Sequence, residues 1–245
     1  SKKINHFFTN DNTTYIDILN KFNLKSDAII IAPEIDKKSL ELHSVLKDRC
    51  EVLGSSRSCL EIFSSKFKTS KFFQKYKLPV VKSYKNNLPT KNKSISKPDF
   101  GAGSTDIKIL KNNIIKANYI TQQFHNGIKG SFLMLCDNGK SKVICCNKQI
   151  VAVHNEHIKQ IGCIIGGLEN YRKEIEALGN KICRKFKGLY GLVGVDIVRE
   201  EKKWLVLEIN SRFTSAYCGL EGSYSNSTIS LITDFYLTGR IKESQ

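Results

Sequence analysis

Gly194-Val-Asp-Ile-Val-Arg-Glu-Glu-Lys-Lys-Trp-Leu-Val-Leu-Glu-Ile-Asn-Ser-Arg-Phe-Thr-Ser-Ala-Tyr217 places three oxygen-bearing side chains on two apolar runs separated by a charged turn. Val193, Val195 and Ile197 alternate with Asp196 and Val198. The polar run Arg199 to Lys203 makes a turn, and Leu205, Leu207 and Ile209 then alternate with Val206, Glu208 and Asn210. A period of two on either side of a polar turn predicts a β-hairpin, with Glu208 and Asn210 on one face. Asp196 sits in an otherwise apolar strand, where an isolated charge costs many kcal/mol, so it must be paired or hold a cation. A lone acid on a half-buried strand is ordinary. Three oxygen donors on paired strands, Asp196, Glu208 and Asn210, followed by the fixed cation Arg212, suit a hard divalent ion that also binds phosphate.

Working outward, Ser94 to Leu110 reads strand, glycine loop, strand. Gly101 and Gly103 let the backbone approach a phosphate, and Lys97 adds a mobile charge. Gly-x-Gly by itself is usually a turn, and no Gly-Lys-Ser/Thr opens a helix here, so this is not a Walker loop. Upstream, Cys59 to Tyr76 is predicted as one lysine-rich helix with Leu60, Phe63, Phe67 and Phe73 on its apolar side. Leu78-Pro79 ends it. Downstream, Tyr119 to Phe124 is a further strand. Ser131 to Cys136, the turn Asp137 to Lys140, and Lys142 to Cys146 make a hairpin that Asn147-Lys148-Gln149 closes. Asn170 to Phe186 is an amphipathic helix with Ile175, Leu178, Ile182 and Phe186 on one face, and Ser225 to Leu237 is a closing helix. The N-terminal part reads as a small α/β unit: a buried strand Ala28 to Ala32, a helix carrying Leu40, Val45 and Leu46, and a parallel strand Glu51 to Leu53. Ser55 to Ser58 is a turn and helix cap.

Composition narrows the class. Of 245 residues 40% are hydrophobic and 25% charged, which suits a soluble globular chain with a real core. No apolar run approaches the ~20 residues of a membrane span, and Ser1-Lys-Lys-Ile-Asn-His lacks a signal core, so the sequence is read as cytoplasmic. Eight cysteines without a Cys-x-x-Cys pair read as reduced core residues, and His154 and His157 lack the partners a zinc site needs. A net charge of +16 with no acid between Glu61 and Asp99 invites a nucleic-acid reading. Scarce arginine and lysine enrichment throughout weigh against it, and a phosphate-rich small substrate would be steered by the same field.

Taken together, Asp196, Glu208-Ile-Asn210-Ser-Arg212, Lys97-Pro98 and the loop Gly101-Ala-Gly103-Ser104-Thr105 resemble the ATP-grasp ligases. That resemblance implies an α/β (α+β) ATP-grasp fold: a truncated Rossmann-like unit over 1–57, an ATP-grasp domain over 58–245, and a small lid lobe at about 92–126. It implies magnesium at Asp196, Glu208 and Asn210, with manganese as a substitute. ATP would be held by Lys66, Lys97, Gly101, Gly103, Ser104 and Ser131, and its adenine by a hinge of Gln122, Gln123 and Phe124. Lys66 is usually preceded by an acid in that family, and here the predecessor is Ser65; Gln123 stands where a Glu is usual. Lys148 is placed as a phosphate or acyl-phosphate contact and Arg212 as the carboxylate clamp. The implied chemistry is an ATP-dependent carboxylate–amine ligation through an acyl-phosphate, on small-molecule substrates. Ala32-Pro33-Glu34, Asn147-Lys148-Gln149, Gly166-Gly167 and the run to Tyr217 are most similar to the tyramine–glutamate ligases of methanofuran-type cofactor synthesis, with Phe213 to Tyr217 as a partly aromatic wall for a phenolic amine. A nucleotide-binding module without catalysis and a basic nucleic-acid-binding protein remain the alternatives, and a homodimer is left open.

Overall fold

The computed structural model describes residues 27–31, 38–85, 93–101, 103, 106–110, 116–224 and 226–241. Ala32-Pro33-Glu34, Ser104 and Thr105 lie outside them. Among the described residues one nine-stranded sheet organises the chain, in the order β1-β4-β2-β3-β7-β6-β5-β8-β9. The strands are β1 (Ser83–Tyr84), β2 (Ser94–Pro98), β3 (Ile107–Leu110), β4 (Tyr119–Gln123), β5 (Ile128–Asp137), β6 (Lys140–His154), β7 (His157–Ile164), β8 (Gly191–Glu200) and β9 (Lys203–Asn210). Their pairings are antiparallel. The small β1–β4 section joins the larger β5–β9 section through Ile107↔Ile158 and Lys108↔His157.

Local chemistry explains the strand layout. Asn138 and Gly139 both have positive φ (42° and 85°), the two-residue turn that suits the twist of β5 and β6. β6 does not stop at Asn147-Lys148-Gln149, as the sequence suggested. It continues through a bulge at Ile150/Val151 to His154 and turns at Asn155-Glu156 (φ 45° and 69°) into β7, so that His154 and His157 face each other across a hairpin. Alternation was legible in the first half of β6, but Lys148 to His154 mixes polar and apolar residues because only part of that stretch is covered.

Three helices cover one sheet face: α2 (Arg57–Phe63), α3 (Lys66–Lys75) and α4 (Arg172–Lys185). Ile175, Leu178 and Ile182 of α4 share a core with Phe132 and Met134 of β5 and Val193, Val195 and Ile197 of β8. Phe63 and Phe73 meet Phe186 at centroid distances of 4.9 and 5.5 Å. Each such side chain contributes about 1.5–3 kcal/mol by leaving water. On the opposite face α5 (Leu220–Ser223) and α6 (Asn226–Thr238) bring Leu220, Ile232 and Phe235 against Leu133, Leu135 and Leu192. No helix among the described residues is long and apolar enough to cross a membrane.

Two expectations change. The predicted helix from Cys59 to Tyr76 is two helices, because the hydroxyl of Ser65 accepts from Lys68 N and caps a new start there. In the N-terminal unit α1 (Lys38–Leu46) is present, with Leu46 buried. Among the described residues, however, the flanking segments meet in a single parallel bridge, Ala28↔Val52. Ile29 and Ile31 are 43% and 66% exposed, so the described part of that strand is not buried.

Candidate functional site

Asp196 and Glu208 are directly opposite each other on β8 and β9. Immediately beyond them the register slips: Ile197 pairs with Val206, leaving Leu207 as the extra residue. The bulge corrects the simple alternation read from sequence. Val206 joins Ile209 in the core, while Leu207 and Glu208 both border the same cavity. Bulges beside a site re-aim side chains in this way.

Burial, and then the nearby Glu208 carboxylate, push the Asp196 carboxyl up to about 7; a hydrogen bond from Gln149 and the charges of Lys97 and Lys66 only partly oppose this. Gln149 Nε2 donates to Asp196 Oδ1 at 2.8 Å, and Asn210 Nδ2 approaches Oδ2 at 3.4 Å. Lys66 Nζ lies 3.4 Å from Glu208 Oε2 and donates to the Gly101 carbonyl at 2.8 Å. Burial lowers Lys97 to about 8, against the pull of Glu208. Arg212 donates to Phe213 O at 2.7 Å and to Asn210 Oδ1 at 3.3 Å. The Asp196 carboxylate, buried beside Glu208, lacks enough nearby positive charge to offset that burial. With the Asn210 amide the two carboxylates form an all-oxygen donor set that could hold a hard divalent cation. Among the described residues no group of three or more His, Cys, Asp and Glu could hold a metal, which leaves this mixed set as the candidate.

Two cavities meet at the pair. One, of about 360 Å³, is bordered by Lys66, Lys97, Gly101, Gly103, Ser131, Asp196, Glu208, Asn210 and Arg212. The other, of about 390 Å³, is bordered by Gln123, Phe124, Lys148 and the apolar Ile107, Ile158, Val198 and Leu207; it shares Lys97, Asp196 and Glu208 with the first. Nearly all the residues singled out in the sequence thus converge. Gln122 does not: its side chain is buried and donates to Ser83 Oγ at 2.9 Å. Lys148 borders the second cavity and Arg212 the first, so the two do not flank one spot. Phe213 and Tyr217 border neither of these two cavities. Phe213 packs on Tyr217 and Tyr236, centroids 5.2 and 5.5 Å away, while Thr214, Ser215 and Ala216 face the first cavity.

Gln149 and Asp99 also belong to this region, through hydrogen bonds to Asp196 and Ser65. Gln149 was visible within the Asn-Lys-Gln run, where strand alternation separates it from Lys148; the charged residue drew attention instead. Asp99 carried no local signal, because its partner Ser65 is 34 positions away.

The profile of the ATP-grasp domain family matches residues 63–216. No curated protein matches by sequence. A crystal structure from Archaeoglobus fulgidus assigned to the ATP-grasp superfamily is similar at 26% identity and a TM-score of 0.76, covering 89% of this chain and 69% of its own. The biotin carboxylase domain dimer of Hydrogenobacter thermophilus 2-oxoglutarate carboxylase, in complex with MgADP, ADP and bicarbonate, matches at 14% identity and a TM-score of 0.71, over 94% of this chain and 57% of that one. The L-amino acid ligase of Bacillus licheniformis matches at 14% identity and 0.59, over 81% and 55%. This chain therefore spans little more than half the length of those two enzymes. Their likeness is one of fold.

Proposed function

We propose, from the premise that this chain belongs to the ATP-grasp domain family, that it is an ATP-dependent ligase joining a carboxylate to an amine. The observation that carries the reading is the Asp196–Glu208 pair at the junction of two cavities, one polar and cationic, the other largely apolar. The apolar cavity, edged by Gln123 and Phe124, takes the adenosine end of ATP. Lys66, Lys97, Ser131 and the backbone at Gly101 and Gly103 take the phosphates; Lys148 lies at the edge of the adenosine side. Asp196, Glu208 and Asn210 would hold magnesium, with manganese as a substitute, and the bound ion would spread the charge of the transferring phosphoryl group.

Arg212 holds the substrate carboxylate through its guanidinium fork. One carboxylate oxygen attacks the γ-phosphorus and ADP leaves. The lysines offset the charge that develops on the equatorial oxygens, a preorganised effect worth far more inside a cavity than in water. The neutral amine then attacks the acyl carbon, phosphate leaves with the former carboxylate oxygen, and the nitrogen gives up a proton to form the amide.

Glutamate with tyramine is the first pair to test, on the strength of the sequence pattern; Phe213 and Tyr217, half-buried against the core, border neither cavity and so add no aromatic wall to its support. ADP release is measured with glutamate while the amine is varied over tyramine, tyrosine and short peptides, and then with other carboxylates. ADP that appears only when both substrates are present supports the ligase. ADP with another pair and none with glutamate plus tyramine removes those substrates and keeps the class. No ADP with any pair, despite ATP binding, favours a module without catalysis.

A further inference from the structure

The first turn of α3 is assembled from two distant parts of the chain. The Ser65 hydroxyl donates to Asp99, its oxygen 2.9 and 3.0 Å from the two carboxylate oxygens, and it accepts from Lys68 N at 3.1 Å. Asp99 Oδ1 also accepts from Phe67 N at 2.8 Å, and the Asp99 carbonyl accepts from Lys66 N at 3.1 Å. The amides of Lys66, Phe67 and Lys68 are therefore all engaged. Helix N-termini often bind anions through such amides, but this one has given its first three to Ser65 and Asp99. What α3 sends into the cavity is the Lys66 side chain, between the Gly101 carbonyl and Glu208. Asp99 follows β2 directly and precedes the glycine loop by one residue. Asp99 and Ser65 are both buried, at 6% and 1% exposure, and a buried carboxylate at a helix N-terminus gains from the helix dipole as well as from its donors.

We infer that Asp99 is a positioning residue for the nucleotide: its carboxylate fixes the Lys66-bearing end of α3 to the base of the glycine loop, so that both phosphate contacts are held in one geometry. The inference rests on the ligase reading, in which Lys66 and the loop bind phosphate. It also accounts for Ser65 standing where an acid is expected. Serine and aspartate form one hydrogen-bonded unit here with the carboxylate on the loop side, so exchanging the two side chains retains both the hydroxyl and the charge.

The test is calorimetric titration with MgATP of the unsubstituted chain, Asp99→Ser, and the exchange variant Ser65→Asp/Asp99→Ser, alongside the melting temperature of each without nucleotide. Asp99→Ser should weaken MgATP about tenfold, the scale of losing hydrogen bonds to a charged group, and should lose MgATP-dependent protection of the loop from proteolysis. The exchange variant should recover affinity to within about threefold of the parent. A purely structural role would instead lower the melting temperature of Asp99→Ser and leave the affinity of the folded protein unchanged; that result, or an exchange variant as weak as Asp99→Ser, overturns the inference. If the exchange variant does not fold, Asp99→Asn decides, since it keeps an acceptor for Phe67 N without the charge: parent-like affinity refutes the positioning role, and weakened affinity upholds it. A parent chain that binds no MgATP refutes the ligase reading itself, and the inference with it.

Discussion

Gly127 joins β4 to β5, and replacing it with alanine perturbs the base-side cavity from its hinge. A Cβ there would lie 1.5 Å from the Arg199 carbonyl oxygen and 2.6 Å from its carbon, both backbone atoms. Carbon and oxygen settle at about 3.3 Å or more, so the strands must separate by nearly 2 Å. The rungs nearest the clash are Ile128↔Arg199 and Lys129↔Val198. Losing their ladder bonds at about 1 kcal/mol each, plus about 1–3 kcal/mol for overpacking, gives a destabilisation of about 3–5 kcal/mol. For a chain of this size that is a fall in Tm of about 6–20 °C. The same displacement would break the contact between His125 Nδ1 and Glu200 and the bond from Lys129 to the His125 carbonyl, both at the rim of the cavity beside Phe124. Calorimetric Tm and MgATP affinity are measured together for Gly127→Ala and for Gly222→Ala, whose Cβ would meet nothing within 4 Å. The second variant should be neutral or gain up to about 1 kcal/mol, the cost of glycine relative to alanine in a helix. Refutation is direct: Gly127→Ala melting within about 2 °C of the parent, with unchanged nucleotide affinity, would mean the hinge does not hold the cavity.

Other expectations concern the lid, acid stability and the clamp. Saturating MgATP should protect the stretch from Gly101 to Thr105 against limited proteolysis; cleavage there at an unchanged rate would remove the lid reading. Burial raises the Glu169 carboxyl, but Arg172, the Tyr224 hydroxyl and the Cys146 amide together outweigh it and hold the group below the ordinary glutamate value. Its folded value is thus the depressed one: the stabilisation is present above the unfolded value and is lost as pH falls through the folded one, so Tm should drop as the solution is acidified below the ordinary glutamate range. Glu169→Gln should lower Tm at neutral pH and flatten that acid limb, and an unchanged limb would contradict the assignment. Arg212→Lys loses the fork and should raise KM for the carboxylate by about tenfold or more with the KM for MgATP little changed; equal increases in both would argue against a carboxylate clamp.

The large elements were legible because their residues repeat with the period of the structure they form. Ile175, Leu178 and Ile182 mark α4, and the acids and glycines of β8, β9 and the loop after β2 mark the site. Short-range patterning gave no account of three features. The Leu207 bulge adds one residue to a strand that still looks alternating, and only the pairing with β8 shows that Val206 has turned into the core. Ser65 reads as an unremarkable residue inside a helical pattern until Asp99, from the far side of β1 and β2, meets its hydroxyl. Phe213 and Tyr217 are aromatic residues next to an arginine, and sequence does not distinguish a cavity wall from packing on the core; Phe213 stacks on Tyr236 of α6 and Tyr217 packs on Phe213, half-buried against the core.

The central claim, that Asp196, Glu208 and Asn210 serve magnesium–ATP, is tested most directly with Glu208→Gln, a substitution of nearly equal shape that removes one charge from a buried pair. ATP binding and ADP formation are measured with and without magnesium for the parent and the variant. The parent should bind ATP in a magnesium-dependent way, and the variant should keep the parent's Tm to within about 3 °C with ADP formation reduced by about a hundredfold or more. ADP formed by Glu208→Gln at the parent's rate, with the same magnesium dependence, would contradict the claim.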